Sequence, residues 1–494
     1  MKKILINFKL LAITAALLIS TGCEKTLDVN TDPNNPGIEK ATPEVLFPSA
    51  TLSSAGMIGG QLAIVGGIWS QYFAQSSNSS QYREIDAYNL TSVSEEVNLP
   101  YDELFAGALF DYELALQKAQ ARLDWKYNLM ATVMKVYTYE VLVDLYDKVP
   151  YTEAFKGKAN LQPKFDDGSA VYTSLLGELD AALAKDYKSG SFTDEQKKTD
   201  FLFGGNMALW EQFANTLKLK MYLRMVNAKP AEAEAGIKAL YTGGGNFLST
   251  TAGINIFKDE PNKSNPFYEF NIRRLNTTTN IRASFTLSSW LIANNDPRAV
   301  TYFGSATPTA IHQGDYTATL AQQPTYANAS VFVQKSTDPV MFISEAESNF
   351  MQAEALERYF AGAGAKAKYD AGVTAAFAQA GLTPGVLLTG KYLYPSAGTF
   401  NQKLEAIITQ KWASFPGSHA LEGFFEQNRT GYPAISPVYS TSSSYVAGRW
   451  VFSKNGSTGA GNFPKRFVFP DDERTRNTNT PAQVPITTKV WWAK

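Results

Sequence analysis

Apolar residues in the first half of the chain recur every three or four positions, which is the spacing of one face of an α-helix. Residues 101–125 place Leu104, Ala108 and Tyr112 at this spacing, and residues 127–146 repeat the pattern. Only a turn separates the two segments. We therefore predict an antiparallel pair of helices here.

The same periodicity predicts three more helix pairs. Ser344 is followed three residues later by Glu347, the spacing of a helix-starting capping box. Paired helices of this length are typical of tetratricopeptide repeats, in which each unit buries its face against the next. The predicted fold is therefore mainly α, with about four tetratricopeptide-like pairs interrupted by long insertions. The further pairs are 169–187 with 206–226, a helix from 344 with 366–379, and 401–413 with 421–428.

The first residues of the chain have the pattern of a secretory signal. Three lysines precede an apolar run at 10–19, which is too short to span a bilayer, and small residues follow it. The chain's single cysteine, Cys23, comes directly after Gly22, as in bacterial lipoprotein processing sites. We predict a lipoprotein signal peptide at 1–22 and lipidation of Cys23, which would anchor the protein to a membrane. An ordinary signal with a chance cysteine is the alternative.

Residues 23–40 are polar and contain the turn-forming sequence NTDPNNP, so we predict a lipidated tether. No Gly/Ser or Pro linker divides residues 41–494, which we interpret as a single domain. Its loop-rich insertions near 241–340 and 432–494 are dense in Gly, Asn, Thr and aromatic residues and are predicted to form a ligand-binding face. The apolar, glycine-rich segment 55–69 is predicted to be a buried helix that is too short to cross a membrane.

The amino-acid composition limits the kinds of ligand and reaction that we expect for this protein. Lys and Arg total 45 against 46 Asp and Glu, which leaves no basic excess for nucleic acid. With two histidines and one cysteine, neither metal nor imidazole chemistry is expected, and His312 and His419 are interpreted as solvated or locally hydrogen-bonded side chains. We predict no catalytic residues, no bound metal and no cofactor, although a Ca²⁺ ion among the Asp- and Asn-rich loops stays open. The 25 Tyr, 30 Phe and 8 Trp favour binding through stacking.

An ordered series of motifs resembles the SusD/RagB family of nutrient-binding outer-membrane lipoproteins. The resemblance implies a mainly helical, non-catalytic protein that faces the cell exterior, binds oligosaccharide or another nutrient, and sits on a SusC-like TonB-dependent transporter. It also implies that motif residues such as Arg429 and Arg466 are structural, in buried ion pairs. The motifs after Cys23 include NTDPNNP at 30–36, DLYDKVPYTEA at 144–154, FISEAESNFMQAEA at 342–355, EGFFEQNRTGYP at 422–433 and FPKRFVFPDDE at 463–473.

Candidate ligand residues combine aromatic rings, which pack against sugar faces, with side chains that hydrogen-bond hydroxyl groups. They come from residues 69–88 and 273–326. Burial in the core is the alternative for Trp69, Tyr72 and Trp290. The candidates are Trp69, Tyr72, Asn78, Tyr82, Arg83, Tyr88, Trp290 and Tyr302.

Two other functions stay open at this point. Acidic pairs such as Asp166-Asp167 and Asp471-Asp472 would serve a surface glycoside hydrolase if two carboxylates faced each other across a cleft. A helical scaffold of the transporter complex that binds no ligand is the other alternative.

Overall fold

The structure is a computed structural model that describes residues 40–417, 419–459 and 461–494. The predicted signal peptide 1–22, the lipidation site Cys23 and all but the last residue of the tether lie outside the described residues.

The described chain is mainly helical. Helices α1 to α9 are Pro43–Ile58, Gln61–Trp69, Arg83–Asp86, Glu95–Asp102, Phe110–Ala121, Trp125–Tyr146, Gly168–Leu183, Asp194–Lys197 and Met207–Met225. Helices α10 to α18 are Pro230–Thr242, Pro266–Tyr268, Phe285–Asn294, Arg298–Phe303, Glu345–Tyr359, Ala365–Gln379, Phe400–Ala413, Leu421–Thr430 and Asp471–Arg476. Two π-helical segments are Glu103–Leu109 and Glu269–Arg273, and 3₁₀ turns are Gly157–Ala159, Pro324–Asn328 and Gly385–Leu387.

Six short strands form three antiparallel two-stranded sheets. The strands β1 to β6 are Phe73–Gln75, Lys148–Pro150, Phe165–Asp167, Ala252–Ile254, Ile281–Ala283 and Val340–Ile343. The sheets pair β1 with β5, β2 with β3 and β4 with β6. In the first sheet Phe73 lies opposite Ala283 and Gln75 opposite Ile281. This pairing connects the segment that follows α2 to the first loop-rich insertion.

The predicted helices are present with ends that differ by a few residues, except at 101–125, where the structure has the end of α4, the π-helical segment Glu103–Leu109 and α5. Helix α5 packs against α6, α7 against both α6 and α9, and α14 against α15 and α16. Helix α6 is buried on all sides, and the Asp124 side chain caps its N-terminus by accepting a hydrogen bond from the Tyr127 amide. At the start of α14, Ser344 accepts from the Glu347 amide at 3.1 Å, as the capping spacing predicted. The tetratricopeptide-like character of the pairs stays a prediction.

The glycine-rich apolar segment is longer than predicted. It begins at Pro43 and consists of α1 and α2, separated at Gly59 and Gly60. By length and composition residues 43–69 could cross a membrane, but 83% of the most apolar window is buried within the protein. A Cβ on Gly66 would lie 2.4 Å from the Leu421 Cα atom, so glycine allows α2 to pack closely on α17. The prediction of a buried, closely packed helix is confirmed, and the estimate of its length is wrong.

Charged side chains cross the centre of the helical core. Arg224 of α9 contacts Asp144 of α6 at 2.8 Å and Glu426 of α17 at 3.0 Å. Lys220, one turn earlier, contacts Glu140 at 3.2 Å. These groups are almost completely buried, so each charge depends on its partners in place of water. The network joins three helices that are distant in sequence.

The ion pairs expected for the motif arginines are present. Arg429 of α17 contacts Glu354 of α14 at 2.6 Å and is 1% exposed. Arg466 lies 3.5 Å from Asp147. The Nε2 atom of His419 lies 2.5 Å from a Glu347 carboxylate oxygen, so this imidazole is hydrogen-bonded within the core. The charged motif residues therefore connect helices and loops of the scaffold.

Candidate functional site

The two loop-rich insertions meet at a group of rings that we call the aromatic loop cluster. Phe285 is the first residue of α12, and its ring centroid lies 4.2 Å from that of His312. The Tyr445 ring centroid lies 5.9 Å from that of Phe285. His312 in turn lies 6.0 Å from Tyr439 and 6.5 Å from Tyr326. Residues that are up to 160 positions apart in sequence therefore share one surface.

A cavity of about 400 Å³ opens beside this cluster. Phe285, His312 and Tyr326 line it together with Ser288 and Ser289 of α12. The rings of Phe285 and His312 are half-buried, so each is fixed by packing and still presents a surface to the cavity. Rigid, partly exposed rings beside hydroxyl groups suit a ligand that has both apolar C–H faces and polar groups.

The loop that carries Tyr439 and Tyr445 is held against α12 by a glycine. Gly448 has φ +84°, and a Cβ there would lie 2.5 Å from the Trp290 Cδ1 atom. Its amide donates to the Ser289 hydroxyl at 3.3 Å, and the Tyr445 hydroxyl donates to the Arg449 carbonyl at 2.7 Å. This close contact fixes the tyrosine loop against α12, where its rings pack on Phe285 and His312.

His312 lines this cavity and is held by local hydrogen bonds. Its Nδ1 atom lies 2.7 Å from the Ser440 hydroxyl, and the backbone amide donates to the Tyr326 hydroxyl at 3.2 Å. Burial lowers the pKa of His312 below its usual value, which favours a neutral ring at neutral pH. The expectation of a locally hydrogen-bonded imidazole agrees with this arrangement. A neutral imidazole can donate from one nitrogen and accept at the other.

A buried carboxylate ties two loops together below the cluster. Asp86 accepts hydrogen bonds from the Gln75 amide at 3.0 Å, the Gln313 side chain at 2.6 Å and the Gly314 amide at 3.1 Å. Burial raises the pKa of Asp86 to about 7. The loop of residues 313–316 therefore has a fixed position relative to β1 and α3.

Four of the sequence-predicted ligand residues are core side chains. The Trp69 indole donates to the Ile85 carbonyl at 3.0 Å, and the Tyr72 hydroxyl donates to the Trp412 carbonyl at 2.8 Å. Tyr82 is 5% exposed. Tyr88 is 1% exposed, its ring lies against Phe463, and its φ is +56°. These rings are part of the packed core next to the loops. A direct ligand contact for them stays an untested prediction.

The other four predicted residues lie in different surroundings. Asn78 is exposed, and the Arg83 guanidinium lies 5.5 Å from the centre of the Tyr316 ring. Trp290 is half-buried and stacks on Tyr392 at 5.4 Å, next to the tyrosine loop. Tyr302 is buried except for its contact with a separate cleft, and its hydroxyl donates to the Ala413 carbonyl. Asn78 and Arg83 are thus the predicted residues best placed to meet a ligand from solvent.

Four residues of the aromatic loop cluster were not among the ligand residues predicted from the sequence: Phe285, His312, Tyr439 and Tyr445. Phe285 and His312 fall within the 273–326 segment, and the two tyrosines fall within the 432–494 insertion, which was predicted to form part of the ligand-binding face. Among the described residues, no group of three or more His, Cys, Asp or Glu side chains could hold a metal ion.

Comparison with known proteins gives a consistent assignment. The sequence profile of the SusD-like family, described as "Starch-binding associating with outer membrane", matches residues 35–452. No match was found among curated proteins. A SusD homolog from Bacteroides uniformis superposes with a TM-score of 0.75 at 21% identity, covering 91% of this chain and 99% of that one. A chitin-binding SusD homolog from Flavobacterium johnsoniae has a TM-score of 0.73 at 21% identity, with 90% and 98% covered.

The fold and the match to the family profile define a mainly helical, carbohydrate-binding class of protein that associates with the outer membrane. The chain belongs to the SusD/RagB family, whose members bind carbohydrate and are not enzymes. The surface hydrolase considered from the acidic pairs is therefore a wrong alternative.

Proposed function

We propose that this protein captures oligosaccharides at the cell surface through the aromatic loop cluster and delivers them to a SusC-like TonB-dependent transporter. The observation that carries the proposal is the cavity beside Phe285 and His312, where partly exposed rings stand next to the Ser289 and Thr325 side chains. Sugar rings present C–H faces to such aromatic surfaces and hydroxyl groups to such polar neighbours.

The ligand class follows from the lining of the cavity and from the family. Rings, hydroxyl groups and aliphatic side chains line the cavity. Its titratable lining side chains are His312, whose pKa burial lowers, and Tyr326, whose pKa burial raises, so both are largely neutral at neutral pH. A neutral glycan fits this lining better than a charged ligand does. The family description names starch, and the Flavobacterium johnsoniae homolog binds chitin, so these two polymers are the first to test.

The lipid anchor completes the proposal. With Cys23 acylated, the tether would hold the protein at the outer membrane, with its loop face available to a partner barrel and to glycan outside the cell. The loop face would then act as the capture surface.

Isothermal titration calorimetry on the purified mature protein tests the proposal. The ligands are maltohexaose, chitohexaose and a panel of plant and host oligosaccharides. We expect saturable binding of at least one ligand with no product detected after prolonged incubation. Absence of binding across the panel would contradict glycan capture, and it would leave the alternative of a transporter scaffold that binds no ligand.

The partner is tested separately, by affinity purification of the protein from outer membranes solubilised in mild detergent. We expect a TonB-dependent barrel to copurify in a stoichiometric amount, and we expect Cys23→Ala to reduce the amount that reaches the membrane. Recovery of the wild-type protein alone would contradict the delivery step but not the binding step.

A further inference from the structure

A second cavity, which we call the wide cleft, has a volume of about 900 Å³. It lies between the β4–β6 sheet, α13, the loop of residues 332–339 and the facing ends of α14 and α15. It shares no lining residue with the cavity of the aromatic loop cluster. A volume of this size is ample for several linked sugar rings.

One wall of the wide cleft is apolar and open to solvent. Val300 of α13 is 50% exposed and Val333 is 43% exposed. The half-buried ring of Phe332 also lines the cleft, and it is fixed because it packs on Phe73 at 4.6 Å between ring centroids. The helix α15 contributes small residues, among them the exposed Ala378. Such a wall is stabilised when an apolar ligand face covers it.

The loop that carries Phe332 and Val333 also contributes an unsatisfied polar group, at Gln334. The Gln334 side chain donates weakly to the Asn265 side chain at 3.4 Å, but its own carbonyl oxygen is buried with no hydrogen-bond partner. Alternation along β4 places Thr251 and Asn255 on the same face as the cleft. A buried acceptor without a partner is uncommon in proteins, and a ligand hydroxyl would supply the missing donor.

The charges around the wide cleft have both signs. Lys335 lies on one side, and Asp338 and Glu345 are the acidic lining residues. The Lys335 amide donates to the Asp338 carboxylate at 2.8 Å, which partly satisfies that group. Without a field of one sign, the cleft has no electrostatic preference for an anion or a cation. A neutral ligand that has both apolar C–H faces and hydroxyl groups would match the apolar side chains and the polar groups that line the cleft.

We propose that the wide cleft is a second, independent binding site for a neutral oligosaccharide. The inference rests on the proposed function, because it assumes that the natural ligand is a glycan. Sugar C–H faces would pack on Phe332 and Val333, and a sugar hydroxyl would donate to the Gln334 carbonyl oxygen. With two sites on one chain, a long polysaccharide would bind more tightly than a short one through a higher effective concentration at the second site.

Calorimetric stoichiometry tests this inference, with maltohexaose and chitohexaose as probes and the complete mature protein in detergent. Ala378→Lys would place a long side chain in the cleft while keeping the helix, since lysine is favoured in the last turn. Gln334→Ala removes the unpartnered acceptor. Tyr445→Ala impairs the aromatic loop cluster instead, and Asn401→Ala, an exposed position in the first turn of α16, is the control.

We expect two sites in the wild type and in Asn401→Ala, with one site lost in Ala378→Lys and the other lost or weakened in Tyr445→Ala. Gln334→Ala should weaken the same site that Ala378→Lys removes. A single site that Tyr445→Ala weakens and Ala378→Lys leaves unchanged would overturn the second site while the proposed function stands. No binding of any oligosaccharide by the wild type would instead overturn the proposed function.

Discussion

Tyr445 and Phe285 present the rings that we expect to contact sugar. Replacing Phe285 by Ala removes a stacking surface from the cavity, and replacing Tyr445 by Ala removes the ring that packs beside Phe285. In either variant the oligosaccharide affinity should fall by about 1 kcal/mol, roughly fivefold in Kd. Calorimetry with the tightest-binding oligosaccharide measures the change. An unaltered Kd in both variants would remove the aromatic loop cluster as the binding site.

Tyr88 gives the matched control. Its hydroxyl group is buried without a hydrogen-bond partner, and its ring packs against Phe463. Tyr88→Phe keeps the ring and removes only the unsatisfied hydroxyl, so we expect equal or slightly greater thermal stability and unchanged oligosaccharide affinity. A weakened affinity in Tyr88→Phe with normal stability would support the sequence-based prediction that Tyr88 contacts the ligand.

The stability contribution of the buried ion pairs can be measured at Arg429. Its guanidinium lies between Glu354 and Glu426, and all three side chains are buried. Arg429→Leu would leave two carboxylates without their partner, so we expect a loss of about 3–5 kcal/mol in the free energy of unfolding. Denaturant titration followed by circular dichroism measures it. The exposed ion pair of Arg476 with Asp472 is the control, since Arg476→Leu should cost less than about 1 kcal/mol.

At the level of secondary-structure elements, the tyrosine loop depends on Gly448. An Ala there would adopt a strained positive φ and its Cβ would collide with Trp290. We expect Gly448→Ala to displace the loop that carries Tyr439 and Tyr445 and to weaken oligosaccharide binding, with a smaller effect on unfolding. Gly459→Ala is the control, because Gly459 has a similar φ of +82° with only a loose contact near its Cβ position. Equal binding by both variants would contradict the role of the loop.

The helical elements could be predicted because their signals are local. Apolar spacing and the Ser344 cap predicted α14, and the same spacing predicted α6. Helix α10 was missed although it begins with a proline, carries an acidic residue in its first turn and buries Ala233 and Ile237 at helical spacing. This sequence signal was present and could have been used.

The loops could not be predicted to the same depth because their burial depends on distant contacts. Tyr88 lies in a polar segment that suggests exposure, yet Phe463, far along the chain, covers its ring. The meeting of Phe285, His312 and Tyr445 likewise depends on how two insertions fold back on the scaffold. Sequence reasoning identified the loop-rich regions, and only the structure shows which of their rings share a surface.

For the whole molecule, buried acids set the pH dependence of stability. Burial raises the pKa of Asp86 to about 7. This group holds a proton in the folded state that the unfolded chain releases above about pH 4, so stability falls as pH rises from there through about pH 7. By contrast, Arg429 holds the pKa of Glu354 at about 2, although burial opposes this, and that contribution is lost below about pH 4.5.

We therefore expect the melting temperature to be highest at mildly acidic pH and to decrease from there to about pH 7. Differential scanning calorimetry across this range measures it. Asp86→Asn should be less stable at low pH and should have a shallower decrease, because its side chain does not titrate. A melting temperature that rises from mildly acidic pH to about pH 7 would contradict the assignment of a protonated Asp86.

The most direct test of the account is a crystal structure of the protein with the oligosaccharide that binds most tightly in calorimetry. We predict density for sugar rings in the cavity of the aromatic loop cluster, with one ring packed against Phe285 or Tyr445 and a hydroxyl group within hydrogen-bond distance of His312. A well-ordered oligosaccharide bound elsewhere, with this cavity containing only solvent, would contradict it.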